Sequence, residues 1–131
     1  MVHFTQSYKF GKKEELKVLP LIKEYFKREI LQYPKQYDKY DFFDSEYEYE
    51  LKSRTNTKTK YPDTMITFNK MTDDKPLILL FNYTDKLCFI QYDREKFSKY
   101  KKCLFSRAMI EEDEKEHIYI PIDDLTDIFQ F

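Results

Sequence analysis

The chain is 131 residues long, with a formal net charge of −1, a single glycine, two cysteines, 12 tyrosines and 12 phenylalanines. That length predicts one domain, residues 1–131, with room for one hydrophobic core. One glycine argues against the Gly-rich phosphate loops of nucleotide-cofactor enzymes, and the longest apolar run, residues 76–81, is far shorter than the ~20 residues that span a membrane.

The charge is arranged in blocks that the total conceals. Residues 36–50 carry a net −5 and residues 111–131 a net −7, whereas residues 1–35, 51–70 and 71–110 carry +4, +4 and +3. An acidic block between two basic segments suits a site that holds a cation beside a polyanion.

The two cysteines, Cys88 and Cys103, stand between apolar neighbours and have no metal-ligand spacing. They are therefore predicted to be reduced and buried. Reduced cysteines and the lack of a signal-peptide pattern predict an intracellular protein, in the cytoplasm or, for a viral protein, in the host cell.

Residues 11–31 show the three- and four-residue spacing of a helix, which is predicted to end before Tyr33 and Pro34. Pro20 predicts either a kink or a later start. The predicted inner face consists of Glu15, Val18, Leu19, Ile22 and Phe26.

Residues 39–44 and 47–54 alternate with period two around a two-residue loop, which predicts a β-hairpin. In that register Asp41 would lie directly opposite Glu50. One face would carry Asp41, Phe43, Glu48, Glu50 and Lys52, and the core face would carry Phe42, Tyr47, Tyr49 and Leu51.

The second half of the chain predicts a series of shorter elements. These are a polar basic loop at 55–61, a short helix at 62–71, a strand pair at 76–81 and 87–92, a helix or loop at 94–101, and strands at 103–109 and 117–121. The predicted fold class is therefore α/β (α+β).

Three details of this half are specific enough to be checked. The helix at 62–71 should turn Met65, Ile66 and Phe68 inward. Pro121 should confine its strand to an edge or an end. Asp123 or Asp124 should cap a last helical turn that runs through Leu125, Ile128 and Phe129.

The charged face of the hairpin indicates metal chemistry. Opposed carboxylates in a strand pair are destabilising unless a cation lies between them. Mg²⁺ prefers carboxylate oxygens, so Asp41 and Glu50 with a backbone carbonyl and a substrate phosphate would form an ordinary site. Lys52 on the same face would assist the attacking water and stabilise charge on the phosphate. A longer loop or a bulge would give the first acidic role to Asp44 instead.

Asp41 followed after eight residues by Glu50-Leu51-Lys52 resembles the signature of the PD-(D/E)xK nuclease superfamily. The closest likeness is to its junction-resolvase-like and small phage or large-DNA-virus members. Residues 11–15 resemble the glycine-x-x-x-glutamate helix opening of that superfamily, which selects Glu15 as a further metal ligand, with Glu14 as the alternative.

The resemblance implies a restriction-endonuclease-like core, in which a mixed central sheet is flanked by helices. It implies a Mg²⁺- or Mn²⁺-dependent DNA endonuclease, with Glu15, Asp41 and Glu50 as metal ligands, Asp41, Glu50 and Lys52 as the catalytic set, and a homodimer as the family's usual assembly. DNA against RNA, and branched against linear substrates, remain open.

Basic residues on either side of the hairpin are candidate phosphate contacts, because they are interleaved with Ser and Thr donors or lie near the helix start. They are Lys12, Lys13, Arg54, Lys58 and Lys60. Two alternatives stay open: a non-catalytic nucleic-acid- or protein-binding module that keeps the nuclease fold, and a viral interaction protein that binds a basic partner through the acidic run at 111–116.

Overall fold

The computed structural model describes residues 6–34, 39–67, 75–105 and 115–131. Its helices and strands are α1 (Gln6–Phe26), β1 (Leu31–Gln32), β2 (Phe42–Phe43), β3 (Glu48–Ser53), β4 (Asp63–Thr67), β5 (Leu77–Asn82), β6 (Lys86–Gln91), α2 (Arg94–Ser98), β7 (Lys102–Phe105), β8 (Lys115–Pro121) and β9 (Thr126–Gln130). Short 3₁₀ turns lie at Lys58–Lys60 and Ile122–Asp124.

The first helix starts and ends about five residues earlier than predicted. Pro20 lies inside α1, which continues through it to Phe26. Lys27 has a φ of 55°, a left-handed conformation that stops the helix. The chain can then turn back, so Leu31, the last residue of the predicted helix, begins a strand instead.

A six-stranded mixed sheet forms the centre of the protein, in the order β1-β2-β3-β5-β6-β9. Strands β3 and β5 are parallel, and the other neighbours are antiparallel. All six residues of β5 are buried, which confirms the prediction of a central strand at 76–81. The partner strand predicted at 87–92 is β6.

The acidic hairpin forms in the predicted register, with Phe42 opposite Tyr49 and Phe43 opposite Glu48. The direct opposition of Asp41 and Glu50 is not observed. Instead, the Asp41 N–H donates to the Tyr49 carbonyl at 3.0 Å, one residue out of register. Such a shift is the signature of a β-bulge, which re-aims the side chain at the bulge.

The helix predicted at 62–71 is wrong. Asp63–Thr67 is strand β4, which pairs antiparallel with β8 in a second sheet of order β4-β8-β7. Burial alternates along it: Thr64 and Ile66 are buried, whereas Met65 is 38% exposed. Two β-branched residues on the inner side suit a strand better than a helix. Phe68, also predicted to face inward, lies outside the described residues.

The C-terminal helical turn is also wrong. After the 3₁₀ turn at Ile122–Asp124, residues Thr126–Gln130 form β9 along the free edge of β6. Pairing with that edge satisfies backbone groups that a last helical turn would leave exposed. Leu125 is buried, as a core residue should be, but Phe129 is 44% exposed.

The remaining short elements agree with the predictions where the structure describes them. The helix α2 covers part of 94–101 and is capped by Asp93, whose side chain accepts from the Lys96 N–H. Strands β7 and β8 occupy the predicted regions, and Pro121 ends β8. Residues 106–109 of the predicted strand lie outside the described residues.

Two apolar layers enclose the central sheet. On one face α1 packs Val18 and Ile22 against Phe42, Tyr49 and Leu80. On the other face the second sheet and α2 pack against Leu77, Leu79, Phe81, Cys88 and Ile90. The protein is therefore a mixed α+β domain with a helix on one face of the sheet and mostly strands on the other.

Both cysteines are free. Cys88 is buried as predicted, whereas Cys103 is only partly buried and its Sγ lies 3.1 Å from the Tyr119 hydroxyl. Within the described part of the chain, no helix combines the length and the apolar character needed to cross a membrane.

Candidate active site

The predicted acidic residues lie near the start of β2, where the chain separates from β3. Asp41 precedes β2, and its Oδ2 accepts a hydrogen bond of 2.7 Å from the Leu51 N–H. Because β2 is short, the Leu51 N–H has no backbone carbonyl of that strand opposite it, and the Asp41 carboxylate accepts its hydrogen bond instead. Asp41 is thereby fixed to the middle of β3, next to Glu50 and Lys52 in the chain.

Glu15 and Glu50 approach this point from opposite sides of the sheet. Glu50 pairs with Leu79 in the β3–β5 ladder, and Leu79 belongs to the layer under the second sheet. Glu15 shares the inner face of α1 with Val18, which packs on the other side. Both carboxylates are buried, with 6% of Glu50 and 8% of Glu15 exposed.

Asp41 interacts electrostatically with all three of its predicted partners. Burial, together with the smaller effects of the Glu15 and Glu50 charges, raises the pKa of Asp41 to about 6 despite the opposing effect of the Leu51 hydrogen bond. The Lys52 ammonium acts in the opposite direction. The side chains of Glu15, Glu50 and Lys52 therefore all lie near enough to Asp41 to act on its charge, and we refer to these four residues as the acidic cluster.

Two lysines and one amide complete the cluster. Lys52 Nζ lies 3.7 Å from Glu50 Oε1, and Lys12 Nζ lies 3.7 Å from Glu15 Oε2. Gln32 donates from Nε2 to Glu15 Oε1 at 3.3 Å. Gln32 was missed by the sequence analysis, because only the pairing of β1 with β2 carries it to this site.

Asp44, the alternative to Asp41, has a structural role. Its two oxygens accept from Arg28 at 2.7 and 3.2 Å, from the Tyr49 hydroxyl, and from the N–H groups of Glu46 and Tyr47 at 2.8 Å each. Burial alone would raise the pKa of Asp44, but these hydrogen bonds outweigh burial and hold it well below the usual range. No lone pair is left for a metal.

Glu14, the alternative to Glu15, is also held elsewhere. Its Oε2 accepts from Asn82 Nδ2 at 2.6 Å and lies 3.7 Å from Lys17 Nζ. Asn82 is the last residue of β5, and its register partner is Ser53 at the end of β3. The geometry therefore favours Glu15 over Glu14.

The predicted phosphate contacts differ in their surroundings. Lys13 and Lys60 are exposed. Lys58 donates to Asp127 Oδ1 at 2.7 Å, and Arg54 donates to Thr64 Oγ1 and the Met65 carbonyl. Of these five residues, Lys12 lies beside the acidic cluster, through its ion pair with Glu15.

The carboxylates of Glu15, Asp41 and Glu50 suit a hard divalent cation, because their oxygens are the ligands it prefers and together they carry excess negative charge. Among the described residues, no group of three or more histidine, cysteine, aspartate or glutamate side chains is arranged to hold a metal ion. Mg²⁺ commonly uses one or two protein carboxylates and completes its shell with water and phosphate oxygens. Asp41 with one neighbouring glutamate fits that pattern.

We expect the metal-free protein to lose stability as the pH rises from about 4 to about 6. The folded-state pKa of Asp41 is raised, so below pH 4 the group is protonated in both states, and above pH 6 the folded state carries the penalty of an ionised, buried acid. The shift corresponds to roughly 3 kcal/mol. Urea unfolding at pH 4 and pH 7 measures the free energy of unfolding at each pH. The loss of stability between the two should be smaller by about this amount in Asp41→Asn than in the wild type. An identical loss in both proteins would contradict the raised pKa of Asp41.

Comparison with protein-family models, curated proteins and solved structures finds no match to this chain.

Proposed function

We propose that this protein is a metal-dependent endonuclease of the PD-(D/E)xK type that hydrolyses phosphodiester bonds in DNA. The observation that supports it most is that the charges of Glu15, Glu50 and Lys52 all act on the buried Asp41, although these residues come from a helix, a loop end and a strand. Buried acids placed together are destabilising, and such clusters occur chiefly at sites that bind cations or perform catalysis.

The order of elements around the site agrees with a restriction-endonuclease-like core. A helix that carries a glutamate precedes a hairpin that carries the aspartate and the Glu-x-Lys strand, and a parallel neighbour, β5, follows. The bulge at Asp41 also agrees with a site, because bulges re-aim side chains next to active centres.

Asp41 and Glu50, with Glu15 on the far side of Asp41, would hold Mg²⁺ or Mn²⁺. When bound, the metal would polarise the phosphate and make water more acidic at neutral pH. Lys52, whose side chain is only 27% exposed, would place a positive charge beside the reacting phosphate and orient the attacking water. Lys12 would neutralise Glu15 until the cation arrives.

Charge outside the cluster supports DNA as the partner. The basic segments at 1–35 and 51–70 enclose the acidic block in sequence, and Lys13 and Lys60 are exposed in them. Phosphate contacts of this kind position a duplex without reading its sequence. A homodimer would let two such sites cut two strands.

We expect the wild-type protein to nick supercoiled DNA in the presence of Mn²⁺, and Glu50→Gln to reduce the rate on the order of a thousandfold, about 4 kcal/mol of transition-state stabilisation. Lys52→Met should lose about a hundredfold, since it removes electrostatic stabilisation but not the metal. Linear and branched DNA tested in parallel would identify the preferred substrate.

The matched control is Glu48→Gln, which removes the same charge from the same face of β3. Glu48 is held by the Tyr33 hydroxyl at 2.7 and 2.9 Å and by Lys75 at 3.7 Å, outside the cluster. Its nicking rate should stay close to wild type. Absence of nicking on every substrate, or nicking that survives Glu50→Gln, would refute the proposed function.

A second candidate is a non-catalytic binding module that keeps this fold. The ion pairs of Lys52 with Glu50 and of Lys12 with Glu15 favour it, because a purely structural cluster would also be neutralised by lysines. Such a module would bind DNA or a protein without a divalent cation and would leave DNA intact.

A further inference from the structure

A cleft lined by residues of the end of β3 and of the second sheet lies outside the acidic cluster. It has a volume of about 470 Å³. Its walls include Arg54, Asn56, Tyr61, Thr64, Tyr83 and Tyr119. Three tyrosines and one guanidinium in one cleft are the features that require an explanation.

Arg54 supplies a partly buried positive charge to this cleft. Its Nε and Nη2 donate to Thr64 Oγ1 at 3.1 and 3.0 Å, and Nη2 also donates to the Met65 carbonyl at 2.8 Å. Among the described residues, no carboxylate forms an ion pair with Arg54, and burial lowers the pKa of its guanidinium. A buried cation without a counter-charge is costly, so an anion in the cleft would be stabilised.

Tyr83 supplies a buried donor. Only 3% of the residue is exposed, and its hydroxyl makes no hydrogen bond of good geometry with any described residue. Burial raises the pKa of Tyr83, and the nearby Thr64 hydroxyl and Arg54 guanidinium partly offset this increase. Buried polar groups without a partner are rare in native proteins, so a hydrogen-bonding group that reached this end of the cleft would be stabilised by the Tyr83 hydroxyl.

The third feature is an exposed aromatic ring in the same wall. Tyr61 is 53% exposed, directly before β4. Aromatic side chains that remain accessible beside a basic group are the usual platform on which nucleobases stack. The cleft thus joins an anion-binding end to an aromatic surface.

We propose that this cleft binds a single nucleotide, with its phosphate at Arg54 and its base against Tyr61. The volume lies within the range of small-ligand sites and is far too small for a duplex. The nucleotide would be either a free nucleoside monophosphate or an unpaired residue of a nucleic-acid strand. The second source rests on the proposed function, because Arg54 follows Lys52 by two residues, roughly 7 Å along an extended chain.

Titration of the wild-type protein in EDTA tests this without any cleavage. The probes are deoxynucleoside monophosphates, inorganic phosphate and a short single-stranded oligonucleotide, followed by NMR shifts of the cleft residues. We expect saturable binding of the monophosphates or the oligonucleotide, with shifts at Thr64 and Tyr83, and clearly weaker binding of inorganic phosphate. Monophosphate binding would identify the free nucleotide as ligand, and oligonucleotide binding alone would identify the strand.

Two substitutions with matched controls locate the binding energy. Arg54→Gln should weaken binding at least about tenfold, whereas Arg94→Gln, the same charge change at the start of α2, should not. Tyr61→Ala should also cost about tenfold, whereas Tyr25→Ala, an exposed tyrosine of α1, should not. Tyr61 remains informative if Arg54→Gln does not fold.

Three results would overturn the proposal: no binding of any nucleotide probe, inorganic phosphate binding as tightly as the nucleotides, or affinities unchanged in Tyr61→Ala. Because the metal is removed, these results are independent of nuclease activity. A protein that binds nucleotides in the cleft but never nicks DNA would refute the proposed function alone.

Discussion

Asp41→Asn is expected to abolish metal-dependent DNA cleavage and at the same time to stabilise the metal-free protein. The amide oxygen of asparagine can still accept the hydrogen bond from the Leu51 N–H. The substitution removes a charge that burial disfavours most and that Glu15 and Glu50 also repel, which raises the free energy of unfolding at pH 7 by up to roughly 3 kcal/mol. The nicking rate should fall on the order of a thousandfold, because a metal ligand is lost.

The combination of these two effects distinguishes a functional cluster from a structural one. A residue that only holds the fold together loses activity through unfolding, so stability and activity would fall together. Plasmid nicking and urea unfolding of the same Asp41→Asn preparation supply both readouts. Reduced stability with proportionally reduced nicking would contradict the role assigned to Asp41.

Asp44→Asn should have the opposite effect and destabilise the protein by about 3 kcal/mol, at the low end for a broken buried ion pair because Arg28 remains 27% exposed. In Asp44→Asn the remaining oxygen can still accept from the Glu46 and Tyr47 N–H groups, but the new amide nitrogen cannot accept from Arg28 Nε or from the buried Tyr49 hydroxyl. The wild-type contribution of Asp44 should be present at neutral pH and lost as the pH falls below about 4, because its folded-state pKa is depressed.

Glu46→Gln is the matched control for Asp44→Asn. Glu46 also approaches Arg28, at 3.6 Å, but its side chain is 67% exposed. Exposed ion pairs contribute little, so the free energy of unfolding should change by less than about 1 kcal/mol. Equal effects of the two substitutions in urea unfolding would show that Asp44 is not the structural anchor of the hairpin.

The acidic hairpin could be predicted because its information is local. Period-two alternation and a two-residue loop determine which residues face each other, and the observed pairs Phe42–Tyr49 and Phe43–Glu48 follow from them. The shift at Asp41 could not be predicted, since it depends on where β2 ends. The charges of both Glu15 and Glu50 act on Asp41, which the hairpin register alone would not have indicated.

The choice between Asp41 and Asp44 depends on contacts that are distant in sequence. Arg28 reaches Asp44 because α1 has already ended: Lys27, the residue before Arg28, has a left-handed conformation that stops the helix. Nothing in the spacing of the two aspartates carries that information. Glu15 could be selected from its place on the apolar face of α1, where Val18 and Ile22 are fully buried.

The two wrong helices have a common cause. Proline at position 62 and aspartates at 123 and 124 are helix-start signals, and both were interpreted without knowledge of a partner strand. The actual partners, β8 for β4 and β6 for β9, are distant in the chain, and pairing with them outweighs the local preference. The cleft around Arg54 could not be predicted either, because strand β4, which was predicted as a helix, forms one of its walls.

The central claim of the proposed function is that Asp41 and Glu50 bind one divalent cation. Calorimetric titration of the purified protein with Mn²⁺ near pH 8 tests it most directly. The expected result is a single saturable site that is lost in Asp41→Asn and in Glu50→Gln but kept in Glu48→Gln. Absence of saturable binding, or binding that persists in both Asp41→Asn and Glu50→Gln, would contradict the claim.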